Sequence, residues 1–246
     1  MPALRVLWHA LAGLYDETIT LVLANLMWVG LNVPAYLVLL AVSVPVVAAA
    51  LPESGRGWLL VLPAWALLLL PTPGAVGLGG LASVAAGLEA PRLQLFWDGL
   101  RARWRLSIGC CLVSLVGTIA LVSNLYFYAV LSSGWPRFLT ILWLYALVFW
   151  LGMHLYLVPL AHHVRRPRLV DLYRRAALIS LGHAGSTLLL VMLVLVLGLL
   201  SVVLLPAYVL VGGAYVALVQ AHAFREIRRR HGDLPIAPEP DNGMRV

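Results

Sequence analysis

The chain contains no lysine: all seventeen of its basic residues are arginine. A phosphate-binding loop of the Gly-x-x-x-x-Gly-Lys type is therefore excluded, together with the ATPases that need that lysine. Cysteine is scarce. The two present, Cys110 and Cys111, are neighbours inside an apolar run, a poor geometry for a disulfide and too few ligands for zinc. They read as small buried hydrophobes. Charge is thin as well: 11% of the 246 residues are charged and 62% are hydrophobic, whereas a soluble domain averages about 25% and roughly 45–50%. Water is thus excluded as the main solvent. The net charge of +7 sits on arginines that cluster beside hydrophobic runs, where anionic headgroups of the bilayer are the nearest partner, so nucleic acid is not expected.

Stretches without any charge run from Cys110 to Pro136, from Phe138 to Leu160 and from Leu188 to Gln220, each longer than the roughly 20 residues that cross a hydrocarbon core. Apolar blocks between charged stretches predict six spans near 18–51, 57–88, 107–131, 137–161, 178–203 and 207–225. The first sixteen residues carry Arg5, His9 and Asp16 and lack the apolar core of a signal peptide, so no cleaved signal is expected. As one straight helix the first block would run about 51 Å, well past the hydrocarbon thickness. Pro34 and Pro45 interrupt it, and Pro63, Pro71 and Pro73 interrupt the next. Two kinked helices are the leading reading. The alternative is four shorter passes with turns near Asn32-Val33-Pro34, Pro52 to Gly57 and Pro71-Thr72-Pro73.

Arginine sets the orientation, because cytoplasmic loops retain an excess of positive residues. With six spans only Arg56 and Arg137 fall on one face, and the other fifteen arginines fall on the opposite one. A multi-pass protein of the bacterial plasma membrane with both termini in the cytoplasm is expected.

Three segments on the arginine-rich face read as amphipathic helices lying in the interface. The first carries Leu4, Leu7, Trp8, Leu11 and Leu14 at helical spacing. The second sets Leu93, Phe96, Trp97, Leu100 and Trp104 against Gln94, Asp98, Arg101 and Arg105, its ring-rich side directed at the headgroup boundary. The third sets Leu169, Leu172, Tyr173 and Ala176 against Arg168, Asp171, Arg174 and Arg175. The second and third share a register, Asp98-x-x-Arg101 before Ser107-Ile108-Gly109 and Asp171-x-x-Arg174 before Ser180-Leu181-Gly182. This suggests a threefold repeat of interfacial helix plus helical hairpin over 1–90, 91–163 and 164–230, within a single membrane domain of residues 1–230. Residues 231–246, with three prolines and little apolar content, read as a disordered cytoplasmic tail. The expected fold is all-α: a polytopic helical membrane protein with about six transmembrane helices and three cytoplasmic interfacial amphipathic helices.

Leu70-Pro71-Thr72-Pro73-Gly74-Ala75-Val76, leading into Leu95-Phe96-Trp97-Asp98-Gly99-Leu100-Arg101, resembles the YesL family of bacterial membrane proteins. Asn25-Leu26-Met27-Trp28 and Asn124-Leu125-Tyr126-Phe127-Tyr128 are similar to its aromatic-rich asparagine segments. The region near 35–70 is longer than the family pattern. The family is a domain of unknown function associated with bacterial carbohydrate-utilisation gene clusters. The resemblance therefore implies a topology and a link to sugar uptake, and supplies no catalytic residue.

Ionisable groups within a bilayer are functional candidates by default, yet no acidic residue lies deep in an expected span. Asp16, Glu17, Glu89, Asp98, Asp171 and Glu226 lie at or beyond helix ends, which argues against an ion-coupled pump built on a buried carboxylate. Histidine is the remaining titratable candidate. His154, His162, His163, His183 and His222 would converge at one depth if their helices packed together. Without a His-Glu-x-x-His spacing they read as structural, and no metal or other cofactor is expected. Gly182 with Ser186 is a small-xxx-small packing pattern, favoured over a Ser186–His183 hydrolase because nothing orients the base. Asn25, Asn32 and Asn124, with His154, His183 and His222, are the candidate contacts either to a polar substrate or between helices. Pro71-Thr72-Pro73-Gly74 is the candidate broken helix, with a simple extracellular turn as the favoured reading. Arg101, Arg105, Arg174 and Arg175 are the candidate docking groups for anionic lipid or a protein partner. The expected function is a non-enzymatic component associated with solute, and by the YesL resemblance carbohydrate, uptake, partnered by a membrane transport complex. The alternatives are a scaffold or assembly factor and, third, a membrane enzyme using the histidines.

Overall fold

The computed structural model describes residues 2–50, 70–87, 90–128, 134–164, 168–203 and 208–231. Regular structure among them is helical throughout, without a strand. The turn near Pro52 to Gly57, Pro63 and the tail from 232 lie outside the described residues.

Helix α1, Pro2–Asp16, meets α2, Thr18–Ala50, across the single turn residue Glu17. The Thr18 hydroxyl donates to the Tyr15 carbonyl at 2.8 Å, and Leu21 N–H donates to the Glu17 carbonyl at 3.0 Å, so the chain changes helix without leaving backbone groups bare. Helix α2 runs unbroken through Pro34 and Pro45. The turn at Asn32-Val33-Pro34 in the four-pass reading is therefore absent: a proline removes one donor, and the rest of the ladder carries on.

Helix α3, Pro73–Ala85, starts where the sequence breaks. Thr72 is extended, and its hydroxyl accepts from Ala75 N–H at 3.2 Å with Pro73 in the first turn, where its missing donor has no consequence. This start is buried, not an exposed turn: Leu70, Thr72, Gly74 and Val76 are all out of contact with solvent.

Helix α4, Gln94–Tyr126, joins the expected second interfacial segment to its span in one run bent at Arg103, whose backbone leaves the helical region (φ −127°, ψ 16°). The apolar stripe divides. Phe96 and Leu100 are buried in protein, whereas Trp97 and Trp104 face outward. Glycine explains the division. A Cβ on Gly77 would lie 3.0 Å from the Phe96 carbonyl, so its absence lets α3 close on this part of α4.

Gly134, at φ 73°, and a short 3-10 turn over Trp135–Phe138 reverse the chain into α5, Leu139–His163. Helix α5 runs antiparallel to α4, and the Trp150 ring fills the space that a Gly117 side chain would occupy. Helix α6, Leu169–Gly182, then turns by 102° at His183 into α7, Ala184–Val203. A π-helical segment, Tyr208–Gly212, leads into α8, Gly213–His231. The bends at Arg103 and His183 are 80 residues apart, whereas Asp98 and Asp171 of the matched motif are 73 apart. The first residues expected in the fifth span, 178–182, belong to α6. Leu172 and Ala176 of α6 pack into the protein core instead of facing headgroups.

Among the described residues two helices, α4 and α5, are long and apolar enough to cross a membrane, or three if the bent pair α6–α7 counts as one span. Their outer faces carry Val116 and Ile119, Ile141 and Leu142, and Leu188 and Leu189, all exposed. So continuous an apolar exterior suits a lipid solvent.

The glycines fix how closely α3 approaches its neighbours, and this can be tested. A Cβ on Gly79 would lie 2.2 Å from a Val158 methyl, while one on Gly30 meets nothing within 4 Å. Gly79→Leu is expected to lower stability by about 1–3 kcal/mol or prevent assembly. Gly30→Ala should change it by less than about 0.5 kcal/mol. Thermal unfolding in detergent measures both, and equal midpoints would refute the close approach.

Candidate functional site

Asn25 of α2 is fully buried, with both ends of its amide engaged. Its Nδ2 donates to the Val209 carbonyl at 2.7 Å, and its Oδ1 accepts from Ala214 N–H at 2.8 Å. Those two backbone groups flank the passage from the π-helical segment into α8. Asn25 therefore repairs a helix junction in a second helix. Gly213 sits between them, and a Cβ there would approach Asn25 Oδ1 to 2.8 Å and the Trp28 ring to 2.9 Å.

A second polar knot closes the end of α5. The last carbonyls of a helix lack intrahelical donors and carry partial negative charge. Arg103 supplies both a donor and a positive charge: its Nε donates to the Ala161 carbonyl and its Nη2 to the His162 carbonyl at 3.2 Å. The bend at Arg103 belongs to the same arrangement. His162 Nε2–H donates in turn to the Val76 carbonyl of α3 at 2.7 Å. The imidazole lies among Gly79, Gly80 and Gly99, where added Cβ atoms would come within 3.1–3.5 Å of it.

A third cluster joins α4, α5 and α6. Tyr173 O–H donates to the Cys110 carbonyl at 3.0 Å, and the Ser114 hydroxyl donates to the Tyr173 oxygen at 2.7 Å. The Tyr173 ring stacks on Trp150 at 5.8 Å, and Trp150 Nε1–H donates to Thr118 at 3.1 Å. The His154 ring meets Trp150 edge-on, 5.1 Å away. Its Nδ1–H donates to the Trp150 carbonyl at 2.6 Å, which leaves Nε2 as the bare nitrogen, buried and without a hydrogen-bond partner among the described residues. Nearby, Tyr156 and Thr187 exchange a hydrogen bond at 2.9 Å.

The other candidates are dispersed. Asn32 is buried and donates to the Trp28 carbonyl of its own helix at 2.8 Å, and Asn124 does the same to Ala120. His183 is the residue at the bend between α6 and α7. His222 of α8 faces His9 of α1, with ring centroids 6.0 Å apart. His163 lies against Phe224 and within 3.4 Å of Arg228 Nη1. The five histidines thus occupy separate places, and no group of three or more potential metal-binding side chains occurs among the described residues. Arg101, Arg105 and Arg174 are exposed, and Arg175 is half-buried with its Nη1 out of contact with solvent and without a hydrogen-bond partner among the described residues. Arg165 and Arg166 lie outside the described residues.

Arg103, His162 and Tyr173 hold the most connected positions but were not among the candidate contacts. For Arg103 a signal existed: it falls three residues after Leu100 and seven after Phe96, on the buried stripe of its helix. No family model, curated protein or solved structure matches the chain. The resemblance to YesL accordingly rests on the segments quoted for it.

Two substitutions separate bonded from unbonded polar groups. Asn25→Leu leaves the Val209 carbonyl and the Ala214 N–H without this partner, at about 1–3 kcal/mol for each buried group. His154→Leu removes a nitrogen that has no partner together with an Nδ1–H bonded only to a carbonyl of its own helix, and is expected to change stability by about 1 kcal/mol or less. Unfolding of both variants in the same detergent checks the order, and an equal loss would refute it.

Proposed function

We propose that the protein is a non-catalytic, multi-pass component of the bacterial plasma membrane that acts as a scaffold or assembly factor. The observation that carries this reading is where its deep polar side chains point. Asn25, Arg103 and His162 are directed at the backbone of neighbouring helices, and Tyr173 and Thr187 at partners within the bundle. Side chains so placed hold helices in register and give little purchase to a passing solute. A cavity between α2, α3, α5 and α8, lined by Trp28, Val158 and Gln220, has a volume of about 10 Å³, room for one water.

Six spans with both termini in the cytoplasm complete the proposed topology, the remaining spans lying in α2, in residues 57–88 and in the segment that enters α8. The packing supports that arrangement. Arg103 near the start of α4 meets the end of α5, and Arg228 near the end of α8 meets His163. His9 of α1 meets His222 of α8. The arginine-rich ends thereby gather on one side, as retention of positive charge in the cytoplasm requires. The partner proposed for this face, from the resemblance to YesL, is a membrane transport complex for carbohydrate uptake. Arg101 and Arg105 are exposed there for docking.

Two measurements test the proposal. A reporter that fluoresces only in the cytoplasm should light up when fused to either terminus, and a periplasm-dependent phosphatase active at either one would overturn the topology. Tagged protein drawn from native membranes in mild detergent should bring a transport complex with it, and Arg101→Gln with Arg105→Gln should weaken that recovery. Retention of a saccharide by the purified protein alone, lost in Asn25→Ala, would replace the scaffold with a permease.

A further inference from the structure

The 102° turn between α6 and α7 opens a cleft of about 500 Å³ against α5. That is within the roughly 300–1,000 Å³ of ordinary small-molecule sites. Its walls come from Tyr145 and Phe149 of α5, Leu181 at the end of α6, and Leu188 and Met192 of α7, and they are almost wholly apolar. Tyr145 is 72% exposed and Leu181 62%, so the cleft opens sideways, toward the lipid in a membrane. Of the lining residues only Tyr145, Ser180 and Thr187 carry hydroxyls, and that of Thr187 is engaged with Tyr156. A sugar or another polyhydroxylated solute would lose its hydrogen bonds to water here and find few in return.

Arg174 stands on α6 two turns before Leu181, on the same face, about 10 Å along the helix axis. It is exposed. In the topology proposed above, on which this placement rests, α7 crosses the membrane and α6, turned from it through 102°, runs along the membrane surface. Arg174 then stands within reach of headgroups, about 10 Å along α6 from the mouth of the cleft. Asp171, one turn earlier and also exposed, is the acidic neighbour with which a phosphate must compete.

We infer that the cleft binds one anionic phospholipid, with an acyl chain between α5 and α7 and the phosphate paired with Arg174. Charge complementarity selects the anionic headgroup, and the apolar wall selects the chain. Gly185 lines the cleft, and a Cβ there would meet nothing within 4 Å, so the space beside it is open for a guest.

Full-length protein purified in mild detergent, titrated with phosphatidylglycerol or phosphatidylcholine of identical chains and weighed by native mass spectrometry, tests the assignment. One phosphatidylglycerol is expected to remain bound, favoured about fivefold over phosphatidylcholine, the size of effect given by one arginine at a membrane surface. Arg174→Gln should abolish the preference, and Gly185→Phe should eliminate binding of both lipids at an unchanged melting temperature. If Gly185→Phe proves unstable, Leu181→Glu, exposed and outside the core, should give the same loss. Inorganic phosphate in excess should leave the bound lipid in place. Absence of retained lipid, a preference that survives Arg174→Gln, displacement by phosphate, or binding unaffected by filling the cleft would each overturn the inference. None of these results depends on whether a transport complex is recovered with the protein.

Discussion

A helix break inside a membrane exposes backbone groups that lipid cannot pair, so each must find a partner within the protein. The chain interrupts its helices at several places, and its few polar side chains are placed against those breaks. Thr72 caps the first turn of α3, while Ser107 reaches the Pro71 carbonyl just before it at 3.4 Å. Arg103 covers the carbonyls at the end of α5, and Asn25 bridges the junction at the start of α8. A sequence with 11% charged residues has little to spare for other uses at this depth.

Glycine makes those contacts reachable. His162 can meet the Val76 carbonyl because α3 and α4 present Gly79, Gly80 and Gly99 around its ring. Asn25 can span two turns of the neighbouring chain because Gly213 lies between them. Gly152 lets Ser180 and Thr187 close on α5, where a Cβ would come within 2.8 Å of both. Small residues and polar side chains thus act together: the first bring backbones close, and the second bond across the gap. Lipid is as apolar as the helix surfaces, so this contact carries association that water would otherwise drive.

The helical character and the long apolar helices were legible because they follow from composition and period. Leu172 and Ala176, and Phe96 with Leu100, repeat at helical spacing and do form faces. Whether such a face meets lipid or protein was not legible, since both are apolar and the hydrophobic pattern is the same. Glycines on a different helix, Gly77 and Gly80, decide it for Phe96. The bend positions were hidden for a related reason. Arg103 departs from helical geometry where its side chain bonds the end of α5, with no proline or glycine at that residue, whereas the bend at His183 follows directly on Gly182. Conversely, Pro34 and Pro45 stand in a continuous helix. Asn25 was identified as a polar contact from its isolation in an apolar run, but its partners, Val209 and Ala214, are 184 and 189 residues away.

The arginines separate into two populations that a count of charges merges. Arg103 is turned inward onto the end of α5, and its charge is set against the carbonyl end of that helix. Arg101 and Arg105, each two residues from it on the same helix, and Arg174 of α6 are exposed. Orientation by positive charge counts both kinds alike, whereas recognition of a lipid or protein can use only the second. In α4 two residues separate these roles, because Arg103 falls on the buried stripe with Phe96 and Leu100 while Arg101 and Arg105 fall on the exposed side. One helix thereby both closes the end of α5 through Arg103 and carries Arg101 and Arg105 on its exposed side, so the inward and the outward arginines follow from the same helical period.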